Sequence, residues 1–301
     1  MKKFLTIFLV ALLAISLAAC GSSDSGSGES KPEKIVMGFV PSQESDTIAD
    51  TVKPLADRLG EELDIEVEGR VMTDYTALIE AMGSNEVHVG FIPAFGYVLA
   101  NEQYGAEVIL KSIRYGSGTY KAQYIVRADS GIESLADLEG KIWAYPDAAS
   151  TSGFLFPAAQ LMDEFDIESA QDLQTNFFKE SLQAGAHDTA AVAVYEGDAD
   201  VATTFDDVRT GLEEEYPDIM EKTKILGYTE EIPNDTISVT KELDDELVQQ
   251  IKDAFLSFND DEEMIEIMNE VYSWDEISEA TDEEYQIVKD TYEKFKDSIS
   301  F

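Results

Sequence analysis

Cysteine occurs once in the 301 residues, at Cys20, and histidine only at His88 and His187. One cysteine excludes a disulfide within the chain, so the fold must be held by its apolar core. Two histidines and one cysteine do not make a zinc set, and the acidic runs lack the spacing of an EF-hand loop. No metal and no cofactor is therefore expected. Cations are scarce too: lysine and arginine number 21 against 62 aspartates and glutamates, a formal net charge of −41. Such a chain has no field to attract nucleic acid or an anionic membrane surface. Screening confines that field to about 8 Å at physiological salt, so a desolvated anion pocket is still allowed. There is no G-x-S-x-G turn, and Gly116-Ser117-Gly118 does not open the helix that a nucleotide loop requires.

What is present begins with Lys2 and Lys3 ahead of an apolar run, Phe4 to Ala19, too short for a comfortable membrane span. The run closes on Leu17-Ala18-Ala19-Cys20, which resembles the bacterial lipoprotein signal. That resemblance implies a signal peptide at 1–19, cleavage before Cys20 and a lipid on its sulfur. Losing Lys2 and Lys3 would take the formal charge from −41 to −43. Residues 20–33 are rich in Ser, Gly, Asp and Glu and read as a flexible tether. About 270 residues follow, enough for two ordinary domains. Hydrophobic residues make up 44% of the chain, enough for a proper core.

The pattern beyond the tether alternates strands and helices. Strands are predicted at 34–40, 65–71, 87–91, 108–113, 120–127, 141–145, 199–203, 224–228 and 237–239, with His88 mid-strand. Helices are predicted at 74–82, 94–102, 185–196, 206–215 and 243–258. Ile48, Val52, Leu55, Ala56 and Leu59 mark another, and 262–295 reads as a helical tail with Met264, Ile267, Met268, Tyr285 and Ile287 inward. This order predicts an α/β fold with a mainly parallel sheet.

Ser150-Thr151-Ser152-Gly153 stands between a predicted strand and an apolar helical pattern, Phe154, Phe156, Leu161, Met162 and Phe165. Hydroxyls there are ordinary helix caps. Three in a row exceed what a cap needs, and a helix N-terminus with added hydroxyls can hold an anion without a cationic side chain. His187 starts a helix, where a ring can reach a ligand, although a lone histidine more often packs. Asp74, Tyr75, Tyr120, Asp206 and Asp235 sit at the ends of predicted elements, mostly near strand C-termini, which line the crevice in open α/β sheets. Nothing assembles a nucleophile with a base and an oxyanion hole, so no enzyme is expected.

Asp74-Tyr75, Ser150-Thr151-Ser152-Gly153-Phe154-Leu155-Phe156-Pro157, Ala184-Gly185-Ala186-His187-Asp188, Asp200-Val201-Ala202-Thr203 and Ile232-Pro233-Asn234-Asp235 occur in this order. Together they resemble the phosphate, phosphite and phosphonate-binding proteins of ABC importers, the PhnD-like family. The resemblance implies a two-lobed periplasmic-binding-protein type II fold with two crossover strands as hinge. One lobe would be 34–122 plus 232–301 and the other 123–231, crossing near Gln123 to Arg127 and Gly227 to Ile232. It implies a phosphorus oxyanion held by Ser150, Thr151, Ser152, Tyr75, Tyr120 and His187, with Asp206 and Asp235 at the positions that take a ligand amine. Phe91-Ile92-Pro93-Ala94-Phe95-Gly96-Tyr97 departs from the family pattern and would reshape the pocket. The protein would be a monomeric receptor on the extracytoplasmic face of the membrane, held by lipid on Cys20 and delivering its ligand to the permease subunits. A receptor for a sulfonate or a thiamine-like pyrimidine is the alternative. A phosphoesterase using His187 and Asp206 is a further one.

Overall fold

The computed structural model describes residues 32–43, 45–294 and 296. The signal, Cys20 and nearly all of the tether lie outside the described residues. The strands are β1 (Lys34–Phe39), β2 (Glu66–Val71), β3 (Val89–Ile92), β4 (Glu107–Ile113), β5 (Thr119–Arg127) and β6 (Ile142–Tyr145). They continue with β7 (Glu180–Gln183), β8 (Val201–Phe205), β9 (Thr223–Pro233), β10 (Thr236–Val239) and β11 (Glu276–Glu279). One sheet runs β11-β4-β10-β3-β1-β2 and the other β7-β6-β8-β5-β9.

Both sheets are mixed, which corrects the expectation of a mainly parallel one. β1 lies parallel to β2 and β3, but β10 returns antiparallel against β3 and β4, and β11 against β4. In the second sheet β6 is parallel to β7 and β8, while β5 is antiparallel to β8 and β9. Sequence pattern sees each strand's burial but not its direction, and the returning strands look like any other short apolar run.

The helices follow their apolar periodicity. The first, α1 (Ser45–Leu63), buries Ile48, Val52, Leu55, Ala56 and Leu59 on one face. It is followed by α2 (Tyr75–Gly83) and α3 (Ala94–Tyr104). The helix behind the hydroxyl run opens in a wide turn, Thr151–Leu155, before α4 (Phe156–Phe165). Next are α5 (His187–Glu196) and α6 (Asp245–Ser257), the latter capped by Asp244 and packed through Leu247, Ile251 and Phe255. The tail is α7 (Glu262–Tyr272), strand β11 and α8 (Gln286–Glu293), so a strand interrupts the expected helix, and Ile287 is exposed. Asp206 to Glu215 is no helix beyond one tight turn at Val208–Leu212. His88 lies just before β3, where Nδ1 accepts a hydrogen bond from the Val36 N–H at 3.0 Å. Among the described residues no helix is long and apolar enough to cross a membrane.

The chain passes between the two sheets twice, at residues 114–118 and at 234–235. Asn234 stitches these crossings together. Its side-chain amide donates to the Ser112 carbonyl at 3.0 Å and to the Ser117 carbonyl at 2.8 Å. Its own N–H donates to Gly118 O at 3.0 Å.

Candidate functional site

The loop that carries the hydroxyls is fixed from below. Trp143 Nε1, on β6, donates to Thr203 Oγ1 on β8 at 2.8 Å, and that hydroxyl donates to the Gly153 carbonyl at 2.5 Å. Asp147 accepts from the Ala149 N–H at 2.8 Å and from Gln183 at 3.0 Å. Burial, with the charge of Asp74 adding to it, pushes the Asp147 carboxyl up to about 6. Ser150 caps the helix: its Oγ accepts from the Gly153 N–H at 3.0 Å. A β-carbon on Gly153 would stand 2.2 Å from Pro146 Cγ, so only glycine lets the loop approach so closely.

Ser150 and Ser152 face a crevice between the two sheets that encloses ≈ 450 Å³ not filled by protein atoms, its mouth included. Tyr75, Tyr120, His187 and Asp235 line the same space. Six of the eight expected ligand residues therefore converge. Thr151 and Asp206 are not among the lining residues. The Thr151 hydroxyl instead accepts from the N–H of Phe95 at 2.9 Å, at the N-terminus of α3. Pro93, the cap residue there, has no side-chain hydrogen bond to offer. Asp206 is half-buried, its carboxyl raised by burial against a backbone hydrogen bond from Lys121.

The lining groups are mostly neutral donors. His187 is 3% exposed, and burial, reinforced by the Arg114 charge, pushes its ring down to about 3. The imidazole is therefore neutral at physiological pH. Its Nε2 is 3.4 Å from Ser150 Oγ, its ring packs on Phe205, and its backbone N–H donates to Ser42 O at 3.0 Å. Burial, followed by nearby aspartates, raises the Tyr75 phenol far above its usual range. Tyr120 is raised by burial and then Asp235, with Ser152 and Arg114 acting against them. Both phenols keep their protons. Asp235 is raised by burial, and Arg114 pulls it back down.

Arg114 and Trp274, neither of them marked by the motifs of the sequence, also line the crevice. Arg114 is 7% exposed, and its guanidinium lies 5.8 Å from the Tyr120 ring and 5.0 Å from the Phe205 ring. Its position follows from the first crossing. The backbone of Arg114 exchanges two hydrogen bonds of 2.9 Å with Ser117, closing a turn with positive φ at Tyr115 and Gly116. The signal was available: an arginine directly after a strand and before Gly116-Ser117-Gly118, in a chain with five arginines.

Three buried nitrogens of this crevice have no hydrogen-bond partner: Arg114 Nε, His187 Nδ1 and Trp274 Nε1. A buried donor left unpaired costs about 1–3 kcal/mol. Unpartnered nitrogens gathered with two serine hydroxyls and two phenols give the cavity a surplus of hydrogen-bond donors, the chemistry suited to an acceptor-rich ligand. Among the described residues, no group of three or more His, Cys, Asp or Glu side chains could hold a metal ion.

Two mixed sheets joined by two crossings, with a polar crevice between them, define a type II periplasmic solute-binding fold. The chain belongs to the family described as ABC transporter, phosphonate, periplasmic substrate-binding protein, whose model matches residues 37–285. It is 31% identical over 205 residues to the phosphate-import protein PhnD of Mycolicibacterium smegmatis, covering 65% of this chain and 63% of that one. It is 26% identical over 235 residues to the phosphonates-binding periplasmic protein of Escherichia coli, covering 76% and 68%. The structure of PhnD1 from Prochlorococcus marinus in complex with methylphosphonate superposes with a TM-score of 0.77 at 17% identity, covering 89% of this chain and all of that one.

Proposed function

We propose that the protein is the extracytoplasmic receptor of an ABC importer and that it delivers a small phosphorus oxyanion to the permease. The observation that carries this reading is the convergence of Ser150, Ser152, Tyr75, Tyr120, His187 and Arg114 on one crevice that includes unpartnered buried nitrogens. The family's membership in phosphonate import and the phosphate and phosphonate relatives support the same ligand class. The two sheets serve as the cores of the two lobes, with the changeover at 114–118 and 234–235 rather than at 122 and 231. Ligand bridges them, and the permease reads the closed form. Cys20 carries the lipid that keeps the receptor at the membrane. Mass spectrometry of membrane-extracted protein should find Cys20 acylated at the mature N-terminus; an unmodified cysteine there refutes the anchor.

Isothermal titration of the domain without its signal, against phosphate, phosphite, methylphosphonate, aminoethylphosphonate, sulfate, a sulfonate and a thiamine-like pyrimidine, tests the ligand class. One-to-one binding of a phosphorus oxyanion, with no turnover of a phosphomonoester, is expected. Binding confined to the sulfonate or the pyrimidine, or steady hydrolysis of the ester, overturns the proposal.

A further inference from the structure

The molecule provides its own control for what a buried arginine does. Arg209 is 7% exposed, as Arg114 is. Its guanidinium meets Asp207 at 2.7 Å and also donates to the carbonyl and hydroxyl of Thr223, each at 3.3 Å. Arg58, Arg70 and Arg127 likewise pair with carboxylates. Arg114 is the exception among these five in having no ion pair among the described residues. Its buried Nε has no hydrogen-bond partner; Arg58 Nε has none either, but Arg58 is held by carboxylates through its other nitrogens. The rings of Tyr120 and Phe205 lie near its guanidinium and supply apolar contact, but rings accept no in-plane N–H bond. In a chain with 62 acids, an arginine kept inside with no carboxylate in ion-pair contact, and with Asp235 acting on it only from farther off, keeps donors for something else.

Among the described residues Asp235 is the only carboxylate lining the crevice; Asp206 stands behind the wall, where its charge reaches Tyr120 and Arg114. Asp235 and Arg114 occupy the two crossings, which Asn234 ties together. Much of the remaining wall is aromatic, including Phe91, Tyr272 and Trp274. An ammonium group needs several acceptors and no cation beside it. This crevice offers one carboxylate with the guanidinium acting on it. A tetrahedral oxyanion without an amine meets opposite conditions: a cation, several donors and one acceptor.

We propose that Arg114 is the counter-cation of the bound anion and that, set against Asp235, it makes the site select amine-free phosphorus oxyanions over aminoalkylphosphonates. This rests on the oxyanion reading of the same crevice. Charge-assisted bonds from a guanidinium are worth roughly ten- to a hundredfold in affinity.

The test titrates methylphosphonate and aminoethylphosphonate into wild type, Arg114→Lys and Arg114→Met. Wild type should prefer methylphosphonate. Arg114→Met should lose roughly ten- to a hundredfold for methylphosphonate but much less for aminoethylphosphonate, so that the preference shrinks or reverses. Arg114→Lys, which keeps the charge but not the planar fork, should keep the preference at reduced affinity. A purely structural arginine would lower both ligands equally and leave their ratio unchanged, and that result overturns the proposal. So does wild-type preference for aminoethylphosphonate. Absence of binding to either ligand and to phosphate and phosphite would refute the oxyanion reading itself. If Arg114→Met does not fold, wild type and Arg114→Lys decide by the ratio alone.

Discussion

At the level of single residues, Asp235 is the acid of the crevice whose proton bears on ligand binding. Asp235 is held up by burial and faces Arg114, Tyr75, Tyr120 and Tyr272. A phosphorus monoanion can donate its P–OH to the Asp235 carboxylate, or a dianion can accept from the Asp235 acid. Both forms place one proton between two acids. Removing it leaves two anions in contact, so affinity should fall as pH rises past the ligand's second pKa. Asp235→Asn offers an N–H that does not titrate and should flatten the pH profile of affinity. Tighter wild-type binding at pH 9 than at pH 6 would place Asp235 away from the ligand.

Ser150, Ser152, Tyr75, Tyr120, His187 and Asp235 were legible in the sequence because each stands at the end of an element, where type and position coincide. Arg114 was not. Its side chain enters the crevice only because β4 and β5 belong to different sheets, and pairing partners are not visible along the chain. Thr151 shows the converse. Its chemistry matched that of its neighbours, but the wide turn directs its hydroxyl to Phe95.

At the level of elements, two contacts control the opening of α4. Gly153→Ala drives a methyl into the Pro146 ring, which cannot rotate away. Overpacking of this kind costs roughly 1–3 kcal/mol, and relief by moving the loop would displace Ser150. Lower melting temperature together with weaker ligand binding is expected, and unchanged values for both would contradict the close approach. Thr151 makes a bond between a loop beside one sheet and a helix beside the other. Thr151→Val leaves the Phe95 N–H short of that acceptor when the halves are closed, at about 1–3 kcal/mol. It should weaken ligand binding without touching the ligand, and Thr151→Ser should restore it. Equal affinity in Thr151→Val and wild type would remove this bond from closure. The helices themselves were legible because a 3.6-residue apolar period is local. Strand β11 was missed inside an acidic tail, since only its pairing with β4 makes Glu276–Glu279 a strand.

At the level of the whole molecule, two buried groups titrate in opposite directions. The His187 ring is pushed down to about 3 from a usual value near 6.5. Below pH 6.5 the unfolded chain gains a proton that the folded one refuses, so this residue's share of stability is lost by about 1.4 kcal/mol per pH unit down to about 3. Asp147 acts in reverse. Its folded carboxyl, raised to about 6, takes up a proton before the unfolded one does, which favours the fold as pH falls below 6. His187→Gln should therefore gain melting temperature relative to wild type between pH 6.5 and 4; a constant difference would mean the ring is protonated in the fold. The formal charge of −41 does not contradict an anion site, because screening limits its reach and the crevice contains its own guanidinium.

The central claim is that a tetrahedral phosphorus oxyanion occupies the crevice between the two sheets. A crystal structure of the complex with methylphosphonate, or phosphate where that binds more tightly, tests it most directly. The anion's oxygens should lie within hydrogen-bond distance of Ser150, Ser152 and the Arg114 guanidinium, with one oxygen toward Asp235. An anion bound outside the crevice would contradict the claim; one inside it with Arg114 still unpartnered would contradict the role of Arg114 as its counter-cation.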